Sequence, residues 1–358
     1  MRYRQLIRRQ RAASHIFNLM VSFAATVLVT RIFLELTGYP QIGNSQLHIA
    51  HVLWGGLILA AGALLPLLYG TSWIYGVSAT LSGIGLGLFI DEVGKFLTQD
   101  NNYFFRPAAS LIYILFLLTL YLYSIVRREA KPSARERLHH ALVALQEVVD
   151  GDLDVREKAE LETLLTGIIG DAKVPDVREL ALSLLGFIRQ EADSIPEPRA
   201  TLRRWWERTW GMFTERVLTR QTMRWGLIIG TALLGLASLV DLVALTQVLV
   251  GPATAEDLLA AWINRGELTA TQEAIWFALM IALQVLVGAL LTAGFVSFLL
   301  GQDRRGISLS LAGLLLSITT LNVLVFYFEQ FVAATKVAVD LALIAGLNFY
   351  RSHRLPDK

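Results

Sequence analysis

The segment Gly83-Ile-Gly-Leu-Gly-Leu-Phe-Ile-Asp-Glu-Val-Gly-Lys-Phe96 decides the fold, because it joins an apolar, glycine-rich run to two adjacent carboxylates. It closes the apolar window 73–97, which is long enough to cross a bilayer, since a transmembrane helix needs roughly 20 mostly apolar residues. Glycines let helices approach closely in lipid, so we expect this span to pack tightly against its neighbours. The segment therefore predicts a membrane helix with ionisable side chains near one end.

Seven further apolar windows accompany this one in the chain of 358 residues. Only 17% of the residues are charged, and 32 of the 62 charged residues lie between residues 128 and 222, which leaves the rest too apolar for soluble cores. We predict an all-α integral membrane protein with eight transmembrane helices. The absence of cysteine excludes disulfide scaffolds and cysteine-ligated metal sites. The eight windows are 14–37, 47–69, 73–97, 108–127, 223–250, 272–300, 306–328 and 331–350.

The basic residues outside the spans predict the orientation, because cytoplasmic loops carry an excess of Lys and Arg. Basic residues precede the first span, follow the fourth, lie between the sixth and seventh and end the chain. Only Arg106 and Arg265 occupy the opposite connections. We therefore expect a multi-pass protein of the plasma (inner) membrane with both termini and residues 128–222 in the cytoplasm.

The two membrane halves show a faint likeness when residue 70 is laid on residue 301. Because four spans return the chain to its starting side, the halves would be parallel repeats about an axis along the membrane normal. We predict such a 4+4 parallel repeat; the alternative is that small-residue apolar helices resemble one another by composition. We also expect the second half to be apolar where the first carries charge. The alignment sets Leu321, Asn322 and Val325 against Asp91, Glu92 and Lys95.

Three domains follow from this organisation: a first membrane half over 1–127, a cytoplasmic helical bundle over 128–222 and a second membrane half over 223–358. Three start signals within the bundle each place a capping side chain three residues before a glutamate, which predicts three short antiparallel helices. These capping residues are Ser133, Asp154 and Asp176.

Two further segments are amphipathic and predict helices along the membrane interface. Residues 202–217 combine an apolar stripe containing tryptophan with flanking arginines, and residues 254–263 carry a shorter apolar face. Because the first of these leads directly into a span, we expect no nucleic acid as a partner. The expected partners are the lipid bilayer and a cytoplasmic protein that contacts 128–222.

Ionisable side chains gather near the outer ends of the first three spans, and each is a functional hypothesis because charge inside a membrane is costly. A rise of about 1.5 Å per residue puts several of them at a similar depth. The cluster and the loop after it contain Arg31, Glu35, His48, His51, Asp91, Glu92, Lys95 and Arg106.

A catalytic site is one interpretation of this cluster. His48 and His51 are spaced i, i+3, and with Asp91 they would make the two-histidine, one-carboxylate set of many zinc or iron sites. A divalent metal held there would activate water for hydrolysis of a lipid or lipid-linked substrate. Without a metal, His51 would act as a general base oriented by Asp91 or Glu92.

Binding without chemistry is the second interpretation, with Arg31, Glu35, Lys95 and Arg106 as contacts for a small polar or lipid-linked ligand. The third is a structural network of ion pairs.

Two whole-protein hypotheses also stay open. A transporter is suggested by ionisable residues in the second half, of which Lys336 and Asp340 are spaced for mutual neutralisation and Asp241 has no evident partner. A scaffold or sensor would signal through the cytoplasmic bundle.

The histidines at the start of the second span and the run from Gly83 to Phe96 resemble a pattern in uncharacterised bacterial polytopic membrane proteins. Those proteins also open one span with histidines and end the next with an Asp-Glu pair. The resemblance covers about a third of the chain and implies no known activity. The layout is also similar to membrane hydrolases related to alkaline ceramidases, but a three-histidine zinc site is not implied because the only histidine after His140 is His353.

Overall fold

The computed structural model describes residues 7–38, 51–98, 105–128, 134–149, 155–171, 175–190, 219–250 and 271–353, and every regular element in those ranges is helical. The helices are α1 Ala12–Thr37, α2 His51–Leu68, α3 Ser72–Asp91, α4 Val93–Leu97, α5 Arg106–Arg127, α6 Ala134–Val149, α7 Val155–Asp171, α8 Pro175–Gln190, α9 Arg220–Val250, α10 Thr271–Leu299, α11 Asp303–Leu316, α12 Asn322–Glu329 and α13 Ala333–His353. A π-helical segment, Ser317–Leu321, joins α11 to α12, and a 3₁₀ turn, Gln330–Val332, precedes α13.

Seven helical stretches in the described ranges are long and apolar enough to cross a membrane, so the helical membrane fold is confirmed at that level. The remaining predicted span, 223–250, is the fifth in chain order. It lies within α9, which is helical throughout but is not among the seven. The predicted interfacial helices at 202–217 and 254–263 lie outside the described residues. The seven stretches are Ala12–Thr37, His51–Leu68, Ser72–Asp91, Arg106–Arg127, Ile275–Leu299, Asp303–Glu329 and Ala333–His353.

The chain folds as two compact units, each described separately below. The first unit comprises Met1–Glu92 and Leu118–Arg203, and the second comprises Val93–Leu117 and Arg204–Lys358. The three predicted domain boundaries stay predictions.

In the first unit, α3 packs against both α1 and α2, as its glycines predict. A Cβ on Gly85 would lie 2.5 Å from the Leu59 backbone nitrogen of α2, while Cβ atoms on Gly83 and Gly87 would meet α1. These glycines therefore permit close backbone contact on two sides of one helix.

The end of α3 differs from the expected span. The prediction that one helix runs to residue 97 is wrong, because α3 ends at Asp91 and Glu92 adopts φ −88° and ψ 7° before α4 begins. The interruption turns the chain at the acidic pair.

Helices α6, α7 and α8 belong to the first unit and share an apolar core. α7 packs against both α6 and α8. The prediction that Asp176 caps the third helix is wrong, because α8 begins at Pro175 and Asp176 is its second residue; proline suits the first helical position. The buried side chains of this core are Ala141, Leu161, Leu165, Ile168, Ala181, Leu185 and Ile188.

In the second unit, α10 packs against both α9 and α11. Arg224 links α9 to α10 and α11. Its Nε donates to Asp303 Oδ1 at 3.1 Å and its Nη2 donates to the Phe298 carbonyl at 2.6 Å. The Tyr350 hydroxyl donates to Asp303 Oδ2 at 2.9 Å. A repeat would make the seventh span the equivalent of α3, whereas the sixth is central here, so the packing does not support the repeat.

Candidate functional site

The polar cluster that the sequence predicts at the outer ends of the first three spans, called the outer polar cluster below, forms where the end of α1, the start of α2 and the end of α3 meet. Arg31 Nε donates to Asp91 Oδ1 at 2.5 Å, and Arg31 Nη2 donates to the Asp91 carbonyl at 3.0 Å. The guanidinium thus fixes both the carboxylate and the last carbonyl of α3. Asp91 is fully buried, and the Arg31 side chain is 10% exposed.

His51 contacts both carboxylates of the acidic pair. Its Nε2 lies 3.1 Å from Asp91 Oδ2, and its Nδ1 lies 3.8 Å from Glu92 Oε1. The two oxygens of Asp91 therefore divide between Arg31 and the imidazole. The His51 side chain is 24% exposed, whereas both carboxylates are fully buried.

Glu92 also accepts a backbone hydrogen bond that the sequence pattern does not predict. Its Oε2 accepts a hydrogen bond from the Val52 backbone N–H at 2.9 Å. Val52 lies in the first turn of α2, where backbone N–H groups have no partner inside the helix, and a negative charge is favourable at that end. The carboxylate that follows α3 therefore caps the start of the preceding span, α2.

The structure brings together four of the eight predicted residues: Arg31, His51, Asp91 and Glu92. Glu35 lies one turn beyond Arg31 with an exposed side chain. Lys95 on α4 and Arg106 at the start of α5 are half-buried and belong to the second unit. His48 lies outside the described residues.

The predicted metal set of His48, His51 and Asp91 gains no support from the residues described. Among them, no group of three or more His, Cys, Asp or Glu side chains is placed to hold a metal ion. Both Asp91 oxygens are already engaged by Arg31 and His51, so a metal at this carboxylate would have to displace one of those contacts.

The arrangement suits hydrogen bonding and proton exchange at the imidazole. Arg31 orients Asp91, and Asp91 orients His51, which is the geometry of a histidine base held by a carboxylate. Because burial shields the carboxylates, His51 is the member of this group best placed to touch a ligand.

The second unit contains a buried carboxylate whose hydrogen-bond partners the sequence did not predict. Asp340 on α13 is 1% exposed, and its Oδ2 accepts hydrogen bonds from Ser317 Oγ at 2.7 Å and Asn322 Nδ2 at 3.1 Å. The expectation that the second half is apolar at the aligned positions is therefore wrong, because Asn322 is the residue aligned with Glu92. An asparagine within an apolar span is the signal that could have found this group. The side chain of Asp241 is outside the described residues.

Comparison with known proteins gives no match to a family model, a curated protein or a solved structure.

Proposed function

We propose that this protein is a multi-pass membrane protein that binds the polar group of a small molecule or a lipid-linked one through His51. The observation that carries the proposal is the exposure of one imidazole above two fully buried carboxylates. Ionisable side chains are costly inside a membrane, so a cluster of four at the meeting point of three spans favours a functional role. The buried members hold the histidine, and the histidine meets the ligand.

The charge arrangement favours a ligand that both donates and accepts hydrogen bonds. The ring nitrogens of His51 can donate or accept hydrogen bonds, and Nε2 lies 3.1 Å from Asp91 Oδ2 while Nδ1 lies 3.8 Å from Glu92 Oε1. The guanidinium of Arg31 compensates one carboxylate, so the group does not demand a multiply charged partner. A hydroxyl-rich or amide-containing head group fits these properties.

We further propose that the chain crosses the plasma membrane eight times, with both termini in the cytoplasm and the outer polar cluster on the opposite side. The start of α1 supports this, since Arg8 Nη1 donates to the carbonyls of Val126 and Arg128 at 2.9 and 3.0 Å at the end of α5. From there to Arg31, α1 extends about 30 Å, which is the thickness of a bilayer core. Basic residues and the polar cluster thus lie at opposite ends of one span.

The natural absence of cysteine makes this topology directly testable. Single cysteines at Tyr3, Arg265 and Ser352 of the otherwise unchanged protein are labelled in intact cells with a membrane-impermeant maleimide. We expect labelling only at residue 265 before the cells are opened and at all three afterwards. Labelling of residue 3 or 352 in intact cells contradicts the proposed orientation.

Ligand binding is tested with protein purified in nanodiscs formed from the host membrane lipids. Native mass spectrometry should detect a bound species on the wild type that is absent from His51→Ala. His353→Ala is the matched control, because His353 is exposed on the last turn of α13, and it should keep the species. Equal retention by His51→Ala, or no bound species on the wild type, contradicts the proposal.

Acid–base hydrolysis of a lipid-like substrate is the second candidate, and the oriented Asp91–His51 pair favours it. Wild-type protein incubated with host lipid extract should then release new products, and Asp91→Asn should slow their release because the imidazole loses its orienting charge. Binding without product release supports the ligand-binding proposal alone. Chelation before the assay separates a metal-assisted reaction from a metal-free one.

We also propose the 4+4 duplication, which is supported by a helix irregularity at matched positions of the two halves. When the two halves are aligned with residue 70 on residue 301, the break at Glu92 coincides with Asn322, the first residue after the π-helical segment. Both side chains are fully buried and both hydrogen bond to another span. A shared irregularity at matched positions favours common origin over likeness of composition, although the central helices of the two units differ.

A further inference from the structure

The second unit buries a carboxylate within a candidate membrane span. Asp340 is 1% exposed, and its Oδ2 accepts hydrogen bonds from Ser317 and Asn322, which are also buried. Both donors are uncharged side chains. A carboxylate held in this way inside a span marks an ion or substrate site by default.

Asn322 supplies an independent indication of a ligand. Its side chain is fully buried and points its Nδ2 at Asp340, while its Oδ1 has no hydrogen-bond partner among the described residues. A buried carbonyl oxygen without a partner is rare in folded proteins, because the group has lost its water. Such an oxygen can coordinate a cation or accept a hydrogen bond from a water molecule.

The backbone at this point is irregular as well. Ser317 and Asn322 bound the five-residue π-helical segment, and such segments often occur at functional sites. The Tyr113 hydroxyl donates to the Ile318 carbonyl at 2.7 Å, which supports the segment from α5. In membrane proteins, oxygen atoms beside interrupted helices commonly coordinate small cations.

We propose that Asp340, Asn322 and Ser317 form a binding site for a monovalent alkali cation. All three provide hard oxygen ligands: a carboxylate, an amide oxygen and a hydroxyl. On binding, the Asn322 amide turns its Oδ1 toward the cation and releases its N–H bond to Asp340. Because Lys336 already compensates part of the charge of Asp340, a divalent ion would leave more excess positive charge in the membrane interior than a monovalent one.

Lys336 sets the expected strength of binding. It lies one turn before Asp340 on α13 and acts on that carboxylate electrostatically. Its ammonium therefore competes with the cation for the same negative charge. The site should bind weakly in the wild type and more tightly when this charge is removed.

The test uses the full chain in nanodiscs of zwitterionic lipid. Thermal unfolding is followed while NaCl, and separately KCl, replaces choline chloride at constant ionic strength. We expect the midpoint to rise with a saturable dependence on Na⁺ or K⁺. Lys336→Gln should lower the half-saturating concentration at least threefold, and Asp340→Asn should remove the dependence.

Asp303→Asn is the matched control, because Asp303 pairs with Arg224 elsewhere in the unit and the substitution has the same chemistry. This variant should keep the wild-type dependence on cation even where its stability falls. If neither cation has a saturable effect on the wild type, the buried oxygen meets water and the proposal is overturned. An unchanged dependence in Asp340→Asn, or an unchanged half-saturating concentration in Lys336→Gln, also overturns it, and the second variant decides if the first does not fold.

Discussion

Replacing Arg31 with methionine removes the guanidinium of the outer polar cluster while keeping a long unbranched side chain. Two hydrogen bonds to Asp91 are lost, one to the carboxylate and one to the carbonyl. Because Asp91 is fully buried and Arg31 is 10% exposed, water compensates little of that loss.

The magnitude follows from the burial of the pair. Removing one partner of a buried ion pair costs about 3–5 kcal/mol in soluble proteins. Polar contacts between membrane helices contribute less to the free energy of unfolding, because the polar groups of the unfolded chain in lipid also find partners. We therefore expect Arg31→Met to lower the free energy of unfolding by about 2–4 kcal/mol. Arg31→Lys should lose about half as much, because lysine keeps the charge but not the fork of donors.

The assay is reversible unfolding in mixed detergent micelles, combined with a double-mutant cycle. Asp91→Asn in the Arg31→Met background removes the uncompensated charge, so the double variant should be more stable than the sum of the two single effects predicts. Arg305→Met is the matched control, because Arg305 is exposed and bonds only to nearby Gln302 in the described contacts, and it should behave as wild type. The reasoning is refuted if Arg31→Met resembles this control or if the cycle shows no coupling.

The remaining predictions concern packing and can be measured by the same unfolding assay or by hydrogen exchange on the full chain. Gly85→Ala should destabilise by at least about 2 kcal/mol, because its Cβ would meet backbone atoms of α2 that cannot yield, whereas Gly56→Ala has open space and should be neutral. Tyr113→Phe should cost about 1 kcal/mol by leaving a carbonyl of the π-helical segment unpaired, and the exposed Tyr121→Phe should cost nothing measurable. Leu165→Ala should remove about 2–5 kcal/mol from the α6–α8 bundle, seen as faster amide exchange in α7, because its side chain is fully buried. Equal behaviour of either matched pair, or unchanged exchange in α7, contradicts the corresponding argument.

The membrane spans could be predicted from sequence because lipid fixes both the length and the polarity of a helix. The window 108–127 became α5, Arg106–Arg127, and the window 306–328 became the stretch Asp303–Glu329. These boundaries differ by at most three residues. Composition alone carries this information, so no tertiary contact had to be known.

The partners of the polar residues could be predicted only in part. Arg31 and Asp91 were expected to lie at one depth, because depth follows from distance along a helix. The bond from Val52 to Glu92 depends on how two spans lean together, and no local pattern reports it. Spacing predicted the electrostatic interaction of Asp340 with Lys336, but not the hydrogen bonds from Ser317 and Asn322 on another span.

The two buried carboxylate groups differ in how their charge is compensated, and this difference separates their expected behaviour. Asp91 is met by the fixed positive charge of Arg31, so an added cation has little to gain there. The hydrogen bonds to Asp340 come from neutral donors, so the compensation of its charge depends on Lys336 and on the cation that we propose binds there. Cations should therefore stabilise the protein through the second unit and leave the pairing of Arg31 with Asp91 unchanged. A cation effect that survives Asp340→Asn but disappears in Asp91→Asn would reverse this assignment.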